Sequence, residues 1–344
     1  MAKSKVPHVC FDRILPHELM RHHNVIQPAR GPARAISPLG KLWMNGSTLR
    51  VRFLGGTASQ QNTARQQANW WTQYANLTFD FNNAPNAEIR ISFDANDGAW
   101  SYIGTDATSI PANQATMNLG FLDGGTAGHE FGHAIGLAHE HQNPKVGIQW
   151  NETVVINALA GPPNNWSEAT TRHNVLDKYS LNQINGTDFD KNSIMLYFFP
   201  ASWTLNGIAT SQNDVLSATD KAFVASAKMY PKTSPGVAAA VILKVNATSR
   251  TKADIGKPME EDLFQFTVVT GGRYIMDTRG PTDVVMKLFG PNSQTAVIAE
   301  DDDSGVGTNA RIVADLVPGD YYIQIRHWNK ASGTGSYTIK VVKG

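Results

Sequence analysis

The pattern of apolar and polar residues changes character near residue 232. Before that point, alternating segments are mixed with segments in which apolar residues recur at helical spacing. Strands are predicted at residues 49–53, 77–81, 88–93 and 116–120. Helices are predicted at residues 59–74, 151–159, 167–176 and 219–229, the last with Ser217 as its N-cap. We therefore expect an α+β unit, and we expect the strand at 116–120 to have an open edge that could pair with an extended peptide.

Beyond residue 240 the chain consists of short alternating segments separated by glycine-rich turns. Strands are predicted at residues 241–245, 262–269, 273–277, 284–289, 296–299, 310–316, 320–326 and 336–342. Short, regularly spaced strands of this kind predict an all-β sandwich of about 100 residues. The predicted organisation is an N-terminal arm or pro-segment at 1–40, an α+β domain at 41–231, a linker at 232–240 and a β-sandwich at 241–344.

Composition limits the classes of function. The 344-residue chain has 41% hydrophobic residues, enough to bury a core, and its formal net charge of +1 argues against electrostatic capture of nucleic acid or anionic membrane. No apolar run reaches the roughly 18 residues of a membrane span, and no signal peptide is visible at the charged N-terminus. The single cysteine excludes an intrachain disulfide. We expect a monomer.

One stretch carries the clearest chemistry. Residues 129–139 follow the pattern H-E-x-x-H-x-x-G-x-x-H. On a helix, His129 and His133 leave the same face one turn apart and can bind one Zn²⁺. Gly136 allows the chain to leave the helix in a left-handed conformation, which returns His139 as a third ligand. Because Glu130 is rotated off this pair, it can hold the attacking water as a general base, and the motif predicts a catalytic zinc site.

With this motif in hand, the first 231 residues resemble the metzincin zinc endopeptidases, and within them the astacin-type branch and its bacterial relatives. Residues 190–197, DKNSIMLY, resemble the Met-turn of that branch, S-x-M-H-Y, with Leu196 in place of the usual histidine. The resemblance implies a metzincin-type catalytic domain in which Met195 forms an apolar floor below the metal. It also implies that Tyr197 stabilises the oxyanion as a second catalytic residue. Glu140, directly after the third histidine, is expected to be a buried acid that anchors part of the N-terminal segment.

The N-terminal segment has two interpretations. Its prolines interrupt any long element, and only a short helix over residues 11–23 is predicted. In one interpretation it is an inhibitory pro-segment in which Cys10, or Asp12 nearby, binds the zinc ion. In the other it is a structural arm, and Cys10 lies far from the histidines. Because no familiar cysteine-plug motif surrounds Cys10, the sequence favours the structural arm.

The last 100 or so residues are similar to bacterial pre-peptidase C-terminal domains, on residues 264–268, 300–305 and 319–323. Such domains accompany secreted proteases, so the resemblance implies an extracellular protein. The adjacent Glu300, Asp301, Asp302 and Asp303 could hold Ca²⁺, although the sequence favours a solvated acidic turn. The functional hypothesis is a zinc-dependent endopeptidase that hydrolyses internal bonds of protein or peptide substrates through a zinc-bound water activated by Glu130. The alternative is a zinc-containing adhesin or binding protein with a degenerate protease domain, which would not need Glu130.

Overall fold

The computed structural model describes residues 10–13, 37–38, 41–143, 146–162, 164–178, 184–185, 188–226, 228–232, 240–330 and 332–344. Most of the predicted N-terminal arm, and residues 233–239 of the predicted linker, lie outside the described residues. The described part has the expected class, an α+β part followed by an all-β part. Among the described residues, no helix is both long and apolar enough to cross a lipid bilayer.

The α+β part contains eight strands and five α-helices among its described residues. Its strands are β1 (Phe11–Asp12), β2 (Ser37–Pro38), β3 (Thr48–Phe53), β4 (Thr78–Asp80), β5 (Ile89–Ser92), β6 (Ala99–Ser101), β7 (Met117–Leu119) and β8 (Ile184–Asn185). Its helices are α1 (Ala58–Thr72), α2 (Thr126–Ala134), α3 (Glu152–Ala160), α4 (Glu168–Thr171) and α5 (Ala218–Val224). A π-helical turn follows α4, and short 3₁₀ turns occur at Gly104–Ser109, Glu140–Gln142 and Ala201–Trp203.

The main sheet has the strand order β1-β6-β7-β5-β3-β4, and only the β6–β7 pair is antiparallel. Helix α1 packs against this sheet and begins at a capping box, in which Thr57 and Gln60 bond to each other's backbone amides. Trp71 of α1 donates its indole N–H to the Gly128 carbonyl at 2.7 Å, while Gln67 accepts from the Gly128 amide at 2.8 Å. These two bonds fix the position of α2 beneath the sheet.

Two predictions about the edge of this sheet are wrong. The strand predicted at 116–120 exists as β7, but β5 and β6 pair with its two sides, so its edge is not open. The segment expected to start a helix at residue 11 is β1, which pairs in parallel with β6, Phe11 opposite Trp100. The outer edge of β6 is therefore the edge to which an extended segment pairs, and part of the N-terminal segment lies on it.

Helix α5 begins at its predicted N-cap, Ser217, which accepts from the Asp220 amide. It ends at Val224, shorter than the predicted helix to residue 229. The reason is tertiary: the Tyr230 amide turns back to the Val224 carbonyl, and the Tyr230 hydroxyl donates to the Ile135 carbonyl at 2.7 Å. Burying this tyrosine against the end of α2 outweighs the local helical pattern.

The all-β part is a two-sheet sandwich, as predicted. Its strands are β9 (Val241–Ile242), β10 (Thr251–Ile255), β11 (Glu261–Val268), β12 (Gly272–Arg279), β13 (Val284–Phe289), β14 (Val297–Asp301), β15 (Arg311–Leu316), β16 (Gly319–His327) and β17 (Gly335–Lys343). One sheet has the order β10-β17-β12-β15, and the other β14-β13-β16-β11-β9. The sequence missed β10 because this edge strand exposes Lys252 and Asp254 and buries only Ile255 fully.

The two parts contact each other directly. Met44, only 1% exposed, packs in a small apolar cluster with Leu263 and Phe289 of the sandwich. Beside it, the Thr295 hydroxyl donates to the buried Glu88 carboxylate at 2.7 Å. Glu88 also accepts from the guanidinium of Arg50. The sandwich thus covers one apolar side chain and one carboxylate of the α+β part.

A chain ending at Pro231 is expected to fold and to unfold at a lower temperature than the full chain. The main apolar core of the α+β part lies within residues 43–230 and stays complete, but Met44 becomes exposed. Exposing one such side chain costs about 2 kcal/mol. Thermal denaturation followed by circular dichroism measures the difference. Thr295→Val in the full chain is the control for the single hydrogen bond. If the truncated chain is insoluble, the predicted domain boundary at residue 231 is wrong.

Candidate active site

Helix α2 and the turn after it bring the predicted histidines together. His129 and His133 lie on one face of α2, and His139 follows after the turn. The Nε2 atom of His133 lies 3.1 Å from that of His129 and 2.9 Å from that of His139. All three side chains are buried. The three ring nitrogens therefore converge on one point inside the protein.

Backbone carbonyls set the orientation of two of these rings. The Nδ1 atom of His129 lies 2.7 Å from the Ile194 carbonyl oxygen, and that of His133 lies 2.8 Å from the Leu137 carbonyl oxygen. Since a carbonyl can only accept, each Nδ1 carries the proton and each Nε2 presents its lone pair. Burial, and then the neighbouring His133, hold the pKa of His139 well below its ordinary value, which keeps this ring neutral.

This arrangement fits a zinc ion. Three neutral imidazoles with lone pairs directed at one point form the ligand set of a catalytic zinc site, which leaves a further coordination position. Hydrogen bonds from the opposite ring nitrogens to carbonyl groups are the usual partners of metal-binding histidines. The lone pairs would repel one another without a cation between them.

Two glycines allow other segments to pack closely against α2 and the turn after it. Gly136 has a φ of +103°, and a Cβ there would lie 2.8 Å from Leu42 Cδ2, so the predicted left-handed exit from α2 is confirmed. At Gly132 a Cβ would collide with the Met195 side chain. Met195 is 2% exposed and belongs to the main apolar core, directly against α2. The segment 193–196 therefore lies beneath the histidine helix, where the resemblance puts the Met-turn.

The other predicted catalytic side chains lie at the same place. Glu130 is fully buried, and one of its carboxylate oxygens lies within 4.8 Å of a His129 ring nitrogen. The Tyr197 ring is 4.1 Å from the His139 ring and 5.8 Å from the His129 ring, centre to centre. His141, two residues beyond the third histidine, is fully buried, and its Nε2 atom lies 2.9 Å from the Asn174 carbonyl oxygen.

The expectation that Cys10 lies far from the histidines is wrong. The Cys10 sulfur, a His129 ring nitrogen and a Glu130 oxygen lie within 4.8 Å of one another. Burial, and then the nearby Glu130, raise the pKa of this thiol well above its ordinary value. Bound Zn²⁺ would act in the opposite direction, because a coordinating thiol loses its proton. The β1–β6 pairing holds Cys10 at this point.

Three carboxylates, those of Asp220, Asp190 and Glu140, hold the backbone around the site. The sequence analysis did not predict their contacts. Asp220 accepts from the Ile194 amide at 2.9 Å, so it holds the residue whose carbonyl orients His129. Asp190 accepts from the Ser217 hydroxyl at 2.6 Å. Glu140, expected to anchor the N-terminal segment, accepts from the Asp190 amide at 3.0 Å, and burial raises its pKa to about 8. This carboxyl group therefore holds the segment that leads into the Met-turn.

The fold and site define a zinc-metallopeptidase catalytic domain followed by a β-sandwich. The family model described as Astacin, a peptidase family, matches residues 36–222, more than half of the chain, and the chain belongs to this family. The model of the bacterial pre-peptidase C-terminal domain matches residues 260–327.

Two known proteins extend this comparison. The structure of myroilysin is 39% identical with a TM-score of 0.54, and the match covers 56% of this chain and 98% of that one. Blastula protease 10 of Paracentrotus lividus is 27% identical over 146 residues, which are 40% of this chain. That match spans only 24% of the length of the sea-urchin relative.

Proposed function

We propose that the protein is a zinc-dependent endopeptidase that cleaves internal peptide bonds of proteins. The observation that carries this proposal is the convergence of three buried imidazoles beside a buried glutamate. The alternative, a zinc-containing binding protein, would not require a carboxylate at that position.

Removal of the metal tests this function. Casein digestion by the purified full chain is expected to stop when phenanthroline is added and to return when Zn²⁺ is restored. The two measurements are the released peptides and the zinc content, which is expected to be about one ion for each chain, bound at the three-histidine site. Digestion that continues in the zinc-free protein would contradict the proposal.

The residue roles follow from their positions. The zinc ion would be held by His129, His133 and His139. As a Lewis acid it would polarise a peptide carbonyl and lower the pKa of a bound water to about 7. Glu130 would take the proton from the attacking water and pass it to the leaving amine. Tyr197, whose ring stacks on His129 and lies tilted against His139, would donate its hydroxyl proton to the oxyanion that develops on the peptide carbonyl.

The N-terminal segment is proposed to keep the enzyme latent. Cys10 lies beside His129 and Glu130, and β1 fills the outer edge of β6, where an extended substrate would pair. The Cys10 thiolate would be a further zinc ligand, which excludes water and substrate from the metal. Of the two candidate zinc ligands in this segment, Cys10 is favoured over Asp12, because the Cys10 sulfur lies close to both His129 and Glu130.

The metal proposed for this chain is zinc alone. In the acidic turn of the sandwich, Asp301 already accepts from the amides of Ser304 and Arg311, and Asp302 accepts from the Asp303 amide. These bonds favour the self-bonded acidic turn over a calcium site.

We further propose that the protein acts outside the cell. The match to the pre-peptidase C-terminal domain supports this proposal. Assays of peptidase activity in culture medium and in cell lysate would test it.

A further inference from the structure

Arg13, which follows β1 on the edge of β6, is held at the rim of the cleft by two groups. Its Nη2 atom donates to Asp97 Oδ2 at 2.7 Å, and its guanidinium carbon lies 3.8 Å from the centre of the Trp100 ring. The side chains of Arg13 and Asp97 keep 36% and 43% of their surface exposed. An arginine therefore occupies a site that is open to solvent and can exchange its ligand.

The site is organised without Arg13. The Trp100 indole N–H donates to the same Asp97 oxygen at 2.9 Å, which fixes the carboxylate at the edge of the ring. Trp100 is held in β6 by its pairing with β7. A fixed carboxylate beside an aromatic face matches a planar cation, which can stack on the ring and donate to the oxygen at once. Loss of Arg13 would leave these receiving groups in place.

The position of the site relates it to peptide binding. The segment runs along β6 from Cys10, next to His129 and Glu130, to Arg13, whose amide donates to the Ser101 carbonyl at 2.9 Å. A strand advances roughly 3.3 Å per residue, so three residues separate the two points by about 10 Å. A substrate paired with the same edge would pass both points.

We propose that Asp97 and Trp100 form a specificity subsite for a basic side chain of the substrate, three residues from the cleaved bond. This inference rests on the proposed peptidase function. Arg13 fills the subsite while the N-terminal segment lies in the cleft, and a substrate arginine or lysine fills it during turnover.

Matched peptides test the subsite. The enzyme is the full chain carrying Cys10→Ser and Arg13→Ala, which removes the occupant. The substrates form two series, with arginine or its uncharged isostere citrulline placed three residues before or three residues after the cleaved bond. In one of the series kcat/KM is expected to be about fivefold to tenfold higher for arginine, because only its guanidinium forms a charge-assisted hydrogen bond with Asp97.

Two variants separate the subsite from a general effect of charge. Asp97→Asn retains an acceptor for the Trp100 indole and removes the negative charge, so the arginine preference is expected to disappear, with arginine and citrulline peptides cleaved at equal kcat/KM. Asp94→Asn removes the charge of an acid in the same turn whose carboxylate accepts from the Asn96 amide, and it is expected to keep the preference. Equal cleavage of arginine and citrulline peptides by the parent, or an unchanged preference in Asp97→Asn, would overturn the subsite alone. A parent that cleaves no peptide would overturn the peptidase function and this inference with it.

Discussion

Glu130→Ala is expected to retain zinc and to lose nearly all turnover. Glu130 is fully buried one residue after His129, and the three nitrogen atoms that would hold zinc all belong to histidines. Loss of the general base raises the barrier by roughly 4 kcal/mol, about 10³-fold in kcat. The measurements are kcat on a fluorogenic peptide and zinc content by atomic absorption.

Both parent and variant should carry Cys10→Ser, so that latency does not mask the difference. Glu152→Ala is the matched control, since Glu152 is an exposed glutamate of α3 that pairs with Arg172 at the surface. Near-parental proteolysis by a folded, zinc-loaded Glu130→Ala protein would rule out this mechanism.

Tyr197→Phe provides a comparison within the site. It keeps the general base and loses one proposed oxyanion donor, so kcat is expected to fall by about 10² to 10³ with little change in KM. Steady-state kinetics on the same fluorogenic peptide separate the two constants. A raised KM at constant kcat would instead make Tyr197 a substrate contact.

The histidine motif was predictable because its geometry is local. Residues 129–136 lie on one helix and its C-terminal turn, so the spacing alone determines which side chains share a face and where a glycine is needed. The left-handed conformation of Gly136 and the convergence of the three ring nitrogens follow from that spacing. The orientation of the His129 ring is the part that depends on a distant residue, because the Ile194 carbonyl accepts from its Nδ1 atom.

The pairing of the sheet edge was not predictable in the same way. Strand β1 has only two residues and β6 only three, so neither gives a periodic signal in the sequence. Each exists as a strand because a distant segment pairs with it. For the same reason the sequence analysis wrongly predicted an open edge at β7 and a position for Cys10 far from the histidines.

The carboxylates around the site show a second limit. Asp220 acts on His129 through the amide and carbonyl of Ile194, and backbone groups are the same at nearly every position in a sequence. Only Ser217, as a capping residue, indicated that the start of α5 has a defined geometry. Asp220, in the first turn of α5, also binds the Met-turn, because it accepts from the Ser193 hydroxyl at 2.7 Å. This contact depends on tertiary packing and cannot be read from the local sequence.

Cys10→Ser in the full chain is expected to increase peptidase activity by roughly 10²-fold. Even partners one step removed from a metal change its affinity about 10- to 100-fold, and a direct thiolate contact is stronger than those. Serine has nearly the same size, so it keeps the packing of the segment on β6, but it is a far poorer zinc ligand than a thiolate. The measurement is kcat/KM on a short peptide with freshly purified, unprocessed protein.

Arg13→Ala is the matched comparison, because it weakens the hold of the same segment on Asp97 and Trp100 without touching the metal contact. If Cys10 is the plug, Arg13→Ala gives a smaller increase than Cys10→Ser, since an exposed ion pair and one cation–π contact together contribute only about 1 to 2 kcal/mol. Cobalt substitution gives an independent readout: a thiolate-to-metal absorption band is expected in the parent and absent in Cys10→Ser. Equal activity of parent and Cys10→Ser, with no such band in either, would mean that Cys10 lies beside the site without closing it.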